Sequence, residues 1–280
     1  MNIQTAINEG SLLLKRNNIK SSLLDSEILM AEVLNKKREY ILLHLKENLN
    51  PLDLNHFKYM INERTYGKPI AYLIRKKFFW KNEFIVNKNV LIPRPDTEII
   101  IEETLKLTKN KSNLSVLEIG VGSGCILLSV LNEKKGFSGT GIDISSKCLN
   151  VCKNNINRLL LKNKIRLYKS DVDNFNYGKY DLIISNPPYI KKLDLKYLEK
   201  DVIDFEPKIA LDGGLDGTSE IRKVINKSSE LIKKNGKLIL EVASDQKRKV
   251  TYLLKNKGFY INKVVKDYAN NDRCIISTKI

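Results

Sequence analysis

From about residue 95 to its end, the chain alternates short apolar runs with longer stretches whose apolar residues fall three and four apart. That alternation decides most of what the chain can become. "DTEIIIEETLKL" reads as a helix, "LSVLEIG" as a strand, "GCILLSVLNEKK" as a helix and "FSGTGIDI" as a strand. "SKCLNVCKNNINRLL" is a helix, and "KIRLYKS" and "KYDLIIS" are strands. "GTSEIRKVINKSSELIKK" is a helix, "GKLILEVA" a strand and "DQKRKVTYLLKNKG" a helix; "FYINKVVKDY" and "DRCIISTKI" close the chain as strands. Strands of four to eight residues alternating with helices through short connections imply an α/β, doubly wound, Rossmann-like sheet. The last two strands have no helix between them, so they are expected as an antiparallel hairpin at the sheet edge. No repeat of solenoid period is visible.

Residues 1 to 70 have a different rhythm. "IQTAINEGSLLLKR", "SSLLDSEILMAEVLN", "REYILLHL" and "LDLNHFKYMINERTYG" all show helical spacing, with Pro51 and Asp53 at the last start and Gly67-Lys-Pro69 at its stop. A small N-terminal helical bundle is expected. Two β-rich runs, Leu73–Trp80 and Glu83–Leu91, flank Lys81-Asn82 and read as a hairpin. The expected organisation is a bundle over 1–70, a β-hairpin linker over 71–93 and a larger domain over 94–280.

Several function classes fall away on composition. Hydrophobic residues make up 42% of the 280, ample for a buried core. No apolar run reaches the roughly 20 residues that span a bilayer, and "MNIQTAINEGSLLLKR" lacks the order of a signal peptide. A cytoplasmic protein with no membrane partner is the expectation. Cys125, Cys148, Cys152 and Cys274 form no CxxC pair and are expected as reduced core thiols. The two histidines, His44 and His56, both lie in the N-terminal quarter. A histidine triad or catalytic zinc centre is therefore not expected, and no metal is called for. The net charge of +17 invites a nucleic-acid partner, but 39 of the 49 basic residues are Lys, whereas bidentate phosphate recognition favours Arg. Enrichment in Asn and Ile points equally to compositional drift, and no direct base readout is expected.

The first strand of the larger domain runs into "LEIGVGSGC". A glycine-rich strand-to-helix turn lets a ligand approach the backbone and offers free N–H groups at a helix start. The dinucleotide fingerprint G-x-G-x-x-G requires glycine at 125, where Cys125 stands. The spacing is G-x-G-x-G, with Glu118 two residues before the first glycine. That suits S-adenosyl-L-methionine (SAM), whose amino-acid end has no phosphate to cradle. Gly120, Val121, Gly122, Ser123 and Gly124 are the candidate cradle. Asp143 ends the second strand, where an acceptor-only side chain takes ribose hydroxyls, and Asp171 and Val172 end the third, beside an adenine. A single glycine turn or strand-end Asp is weak; three consecutive strand ends with matching chemistry are more telling.

The fourth strand ends in "DLIISNPPYI". Two prolines remove two ladder donors and fix two φ angles, so the sheet must stop. Asn186-Pro187-Pro188-Tyr189 then lies at the same carboxyl edge as the candidate cofactor site. An Asn side-chain oxygen and a proline carbonyl can each accept one N–H of a substrate amino group, which aims a delocalised nitrogen lone pair at an electrophile. Tyr189 is expected as a flat wall for a planar amide or base.

This tetrapeptide resembles the [D/N]-P-P-[Y/F] motif of SAM-dependent methyltransferases acting on planar nitrogens, shared by adenine-N6 methyltransferases and by enzymes that methylate glutamine amides. With "GKPIAYL" (67–73), "NVLIPRPDTEIIIE" (89–102) and "FEPKIALDGGLDG" (205–217), the chain resembles the PrmC/HemK family over its whole length. These are protein-(glutamine-N5) methyltransferases of peptide-chain release factors. The resemblance implies SAM as cofactor, held by residues 120–124, Asp143, Val172 and Asn186. It also implies a release-factor glutamine, in a Gly-Gly-Gln loop, clamped by Asn186 to Tyr189. The N-terminal bundle would dock elsewhere on that partner, and the reaction would tune translation termination. Ala243 and Asn270-Asn271 stand where the family pattern has glycine, Ile74-Arg75 interrupts a usual Thr-Gly, and Val172 replaces a bulkier residue. In "PRPDTE", Asp96 or Thr97 reads as the cap of the following helix, residues 191–200 as a solvated segment, and the loop leading to "FEP" as a candidate lid. An adenine-N6 methyltransferase and a non-catalytic SAM-fold binding module are the alternatives.

Overall fold

A computed structural model describes all residues, 1–280. The chain divides into two compact units, one of residues 1–76 with 199–205, the other of 77–198 with 206–280. The first is helical: α1 (Ile3–Arg16), α2 (Ser22–Val33), α3 (Arg38–Leu43), α4 (Pro51–Thr65) and α5 (Ile70–Leu73). Local chemistry sets two of these starts. Asn2 and Asn50 each accept an N–H of the first turn at 2.8 Å, from Thr5 and Asp53, and Pro51 occupies the first helical position. Leu14, Leu29, Met30 and Ile41 are fully buried at the centre of the bundle. A buried Arg64–Asp25 pair at 2.8 Å ties α4 to α2. Gly10 lets α1 and α2 close up, since a Cβ there would meet the Ser26 hydroxyl at 2.9 Å.

The second unit opens with a hairpin, β1 (Lys76–Phe79) and β2 (Asn82–Ile85), turned at Trp80 with φ +55°. Both strands are shorter than their apolar runs suggest. Leu73 belongs to α5, and the second strand stops at Ile85 because the Asn155 side chain takes over its backbone. Asn155 accepts the Ile85 N–H at 2.7 Å and donates to the Ile85 carbonyl at 3.0 Å. Phe79 and Phe84 bury edge to face, with ring centroids 6.2 Å apart.

Then follow α6 (Glu98–Leu107), β3 (Ser115–Ile119), α7 (Cys125–Glu133), β4 (Ser138–Asp143), α8 (Ser146–Arg158), β5 (Ile165–Lys169) and β6 (Tyr180–Ser185). The helix α9 (Lys200–Phe205) belongs to the first unit. The chain ends with α10 (Ser219–Leu231), β7 (Ile232–Glu241), α11 (Lys247–Asn256), β8 (Phe259–Lys266) and β9 (Asp272–Lys279). The seven strands are ordered β5-β4-β3-β6-β7-β9-β8. The first five are parallel, while β9 runs antiparallel to both β7 and β8. The α/β sheet with an antiparallel edge hairpin is thus observed, alongside a small helical N-terminal region. The sequence places Ile232-Lys-Lys234 at the end of a helix; the structure puts them in β7. Ile232 pairs with Tyr180, and Lys233 reaches the Asp181 carboxylate at 2.9 Å, so partners on β6 outweigh local helix preference.

Both faces of the sheet are covered at its centre, which explains why β3, β6 and the second half of β7 read as near-continuous apolar runs. Val116, Leu182 and Ile184 point into one core with α7 and α8, and Leu117, Ile119 and Ile183 into the other with α10 and α11. Chain order runs outward from β3 to β5, then returns to β6 on the other side of β3. The switch between β3 and β6 is where an open α/β sheet leaves a crevice at its carboxyl ends.

Candidate active site

A cavity of about 550 Å³ occupies that crevice, within the size range of small-molecule sites. The carboxyl ends of β3, β4, β5 and β6 line it, together with the segment before α6 and residues 207–214.

Three glycines follow β3, with φ of +75° at Gly120, +56° at Gly122 and +82° at Gly124, so the turn demands glycine. Their surroundings differ. A Cβ on Gly120 would meet nothing within 4 Å, and one on Gly122 only the Gly120 carbonyl at 4.0 Å. At these two positions the missing side chain is open cavity. At Gly124 a Cβ would strike the Cys152 sulfur at 2.7 Å, and this glycine lies outside the lining. Gly120, Val121, Gly122 and Ser123 therefore face the cavity, whereas Gly124 packs α7 against α8.

Glu118 is buried beneath the turn, and its carboxylate accepts the Leu127 N–H of α7 at 3.0 Å. Burial pushes its pKa well above the ordinary range, with the Asp143 charge adding to the rise. Asp143 lines the cavity, yet it is already engaged. Oδ2 accepts the Gly122 N–H at 3.1 Å and the Cys148 thiol at 3.2 Å, and Oδ1 accepts the Ser145 N–H at 2.9 Å. A carboxylate has about four acceptor sites, so room remains for a ligand hydroxyl, and the same side chain holds the glycine turn to the start of α8. Burial first, and Asp143 second, push the Cys148 thiol up, which keeps it an S–H donor. Val172, at the end of β5, lines the cavity beside Asp171 and packs on the sheet core.

At the end of β6, the Ser185 hydroxyl donates to the Ile119 carbonyl at 2.7 Å and fastens the strand to β3. Asn186, Pro187 and Pro188 line the cavity. The Asn186 amide nitrogen donates to the Thr97 hydroxyl at 3.3 Å. Tyr189 departs from its expected place. It is not part of the lining; its ring packs on the core behind the turn and its hydroxyl donates to Glu241 at 3.2 Å. The Tyr189 carbonyl is also engaged, by the Gln246 amide at 2.9 Å. The flat wall expected of Tyr189 is not formed, because a phenol with a buried acceptor within reach turns its polar end there.

Other site residues escaped sequence reasoning. Neither Asp96 nor Thr97 caps α6 by a side-chain hydrogen bond. Thr97 instead lies buried between Asn186 and Glu241, the last residue of β7. Burial pushes the Glu241 carboxyl up to about 7, against the pull of Thr97, Arg273 and Tyr189. Glu206, buried, takes the Arg94 guanidinium on one oxygen and the Ile92 N–H on the other at 3.0 Å. Arg94 and Thr97 had an advance signal in "PRPDTE" and Glu206 in "FEP", whereas Glu241 had none.

Comparison with known proteins is consistent with this geometry. Residues 5–74 match the family model described as the PrmC N-terminal domain, and residues 97–204 the methyltransferase small domain. A release factor glutamine methyltransferase of Clostridium acetobutylicum is 33% identical over 282 residues, covering all of this chain and 99% of that protein. A bifunctional methyltransferase of Rickettsia felis is 33% identical over 99% of this chain, which spans only 58% of that longer protein. A crystal structure of a methyltransferase from Pyrococcus furiosus superposes with a TM-score of 0.51 at 18% identity, over 70% of this chain and 88% of that one, a likeness of fold. No helix is long and apolar enough to cross a membrane.

Proposed function

Because the chain belongs to the release factor glutamine methyltransferase family, we propose that it transfers a methyl group from SAM to the side-chain amide nitrogen (N5) of the glutamine in a release factor's Gly-Gly-Gln loop. In this reading residues 1–70 are the docking domain, 71–93 the linker and 94–280 the catalytic domain. Gly120, Val121, Gly122, Ser123, Asp143, Val172 and Asn186 serve the cofactor, and Asn186, Pro187 and Pro188 the substrate, while Gly124 and Tyr189, expected among them, act from behind the lining by holding the two turns in place.

The observation that carries the reading is the pairing of an open glycine cradle with the Asn-Pro-Pro turn across one cavity. The residues present fit SAM: Gly120 and Gly122 leave empty the volume that a Cβ would fill, and Asp143 keeps one acceptor site in reserve. Held by the glycine turn and Asp143, SAM would supply an electrophilic methyl carbon with its sulfur as the leaving group, which would keep the electron pair of the S–C bond, and water would take the proton released by the amide nitrogen. The chain's residues do the rest by placement. Asn186 spends its N–H on Thr97, which leaves Oδ1 to accept an N–H of the substrate amide. A proline carbonyl with no competing ring donor accepts the second. Two acceptors on one nitrogen hold it still and favour its rehybridisation, and positioning of this kind accounts for large rate gains without a covalent intermediate. Tyr189 contributes from behind, by anchoring the turn to Glu241.

The test supplies radiolabelled SAM with a release factor, the same factor with its loop Gln changed to Ala, and double-stranded DNA. Label is expected on the unmodified factor alone. Label on DNA and not on the factor would replace this reading with adenine-N6 methylation.

A further inference from the structure

Behind the Asn-Pro-Pro-Tyr turn lies a buried polar chain drawn from three elements. Asn186 donates to Thr97 Oγ1 at 3.3 Å. Thr97 is 3% exposed and its hydroxyl lies against the Glu241 carboxylate. Glu241, 2% exposed, accepts the Tyr189 hydroxyl on Oε1 at 3.2 Å, while its buried Oε2 has no hydrogen-bond partner and is an open acceptor beside the Thr97 hydroxyl. Arg273 faces this carboxylate and is itself held by Asp267 at 2.9 and 3.1 Å.

The two ends of an Asn amide have nearly the same shape, so packing alone does not choose which one meets the substrate. Hydrogen-bond polarity does. A hydroxyl has one proton to give and two lone pairs to receive with. If that proton goes to Glu241, Thr97 can only accept, and Asn186 must turn its NH₂ inward. We propose that Thr97 and Glu241 are positioning residues that lock the Asn186 amide with Oδ1 toward the substrate, with Tyr189 fixing Glu241 from the other side. The inference rests on the methyl-transfer reading above. The raised pKa of Glu241 fits it. Once protonated, Glu241 becomes a donor, the Thr97 proton is released toward Asn186, and the flipped amide is no longer excluded. The charged and titratable groups facing Glu241 are Arg273, Tyr189 and Asp96, with the buried thiols of Cys274, its partner on β9, and Cys125.

The experiment compares the wild-type protein with Thr97→Val, Thr97→Ser and Glu241→Gln. It reads kcat and the KM for SAM between pH 5.5 and 8.5, and hydrogen exchange of the ¹⁵N-labelled Asn186 side-chain amide. Thr97→Val should lower kcat roughly tenfold or more, the scale of a misplaced reactive group, with KM for SAM within about threefold. Its Asn186 amide should exchange faster, and Thr97→Ser should restore both. Glu241→Gln should remove the rise of kcat through about pH 7. Equal losses in Thr97→Val and Thr97→Ser would assign Thr97 to packing and overturn the proposal, as would wild-type kcat and exchange in Thr97→Val. If Thr97→Val does not fold, Glu241→Gln decides: a wild-type pH profile and unchanged Asn186 exchange overturn the proposal. If the wild-type protein methylates no release factor, the functional reading fails separately, and exchange in the variants still decides the positioning role.

Discussion

Glu206 binds the Arg94 guanidinium with one carboxylate oxygen and the Ile92 backbone N–H with the other. The pair joins the "IPRP" segment to the "FEP" segment, both of which contribute cavity lining, although 112 residues separate them. The Glu206 side chain is 2% exposed and that of Arg94 38%, so the pair is half dry and loses little to solvent screening on the carboxylate side. Glu206→Ala strands a backbone donor and a guanidinium together. Unfolding in urea should show a loss of about 2–4 kcal/mol, and calorimetry a weaker SAM affinity. Glu206→Gln keeps an acceptor for Ile92 and should lose less; equal losses would mean that the charge, rather than the backbone bond, holds the segments.

The glycine turn allows a sharper separation of folding from binding. Gly120→Ala puts a methyl group into open cavity, and its cost to stability is the strain of a positive φ, about 1 kcal/mol. Its cost to SAM affinity should be tenfold or more, because the methyl occupies the cradle. Gly124→Ala pays the same strain and also drives a methyl into the Cys152 sulfur. It should melt lower than Gly120→Ala and bind SAM better, measured by thermal unfolding and equilibrium dialysis. The opposite ranking would place the cofactor elsewhere.

The parts of this molecule that sequence reasoning reached are those written in local signals. The strands β3, β6 and β7 show as apolar runs because both faces of the sheet are buried there, and Pro51 and Asp53 mark the start of α4. The parts it missed are set by partners far along the chain. Thr97 carries every local mark of a helix cap, but its hydroxyl is claimed by Asn186, 89 residues away. Tyr189 reads as a stacking surface until Glu241, 52 residues on, takes its hydroxyl. Lys233 and Lys234 suit a helix end, yet Asp181 and the β6 backbone recruit that stretch into β7. In each case a single tertiary hydrogen bond or strand pairing outweighed a preference worth a few tenths of a kcal/mol.

Glu241 also makes stability depend on pH with a definite sign. Its folded pKa stands near 7 against an ordinary 4.5. A carboxyl with a raised pKa contributes stability below the unfolded value and loses it as pH rises through the folded one. Between about pH 4.5 and 7, wild-type protein should therefore lose stability relative to Glu241→Gln, by an amount on the order of 3 kcal/mol. Chemical denaturation of both proteins across that range isolates this group from Glu118, whose raised pKa is common to both. Parallel curves would show that Glu241 titrates normally.

Asn186→Ala removes both the acceptor that faces the substrate and the donor that binds Thr97. The lost acceptor acts on the reacting nitrogen, so the damage should fall on kcat, by roughly 10²–10³, the scale for one oxyanion-hole donor. Binding of SAM should change only a few-fold, because the glycine cradle and Asp143 are untouched. Asn186→Asp retains an acceptor toward the substrate but has no NH₂ for Thr97, whose single proton must then serve two carboxylates. Beside a second negative charge, Glu241 should titrate higher still, and the rise of kcat with pH should move upward. A single-turnover measurement of methyl transfer, with SAM affinity determined in parallel, separates these effects. If Asn186→Ala lost SAM affinity by as large a factor as kcat, Asn186 would be a cofactor ligand first, and the amide clamp would have to be built from the proline carbonyls alone.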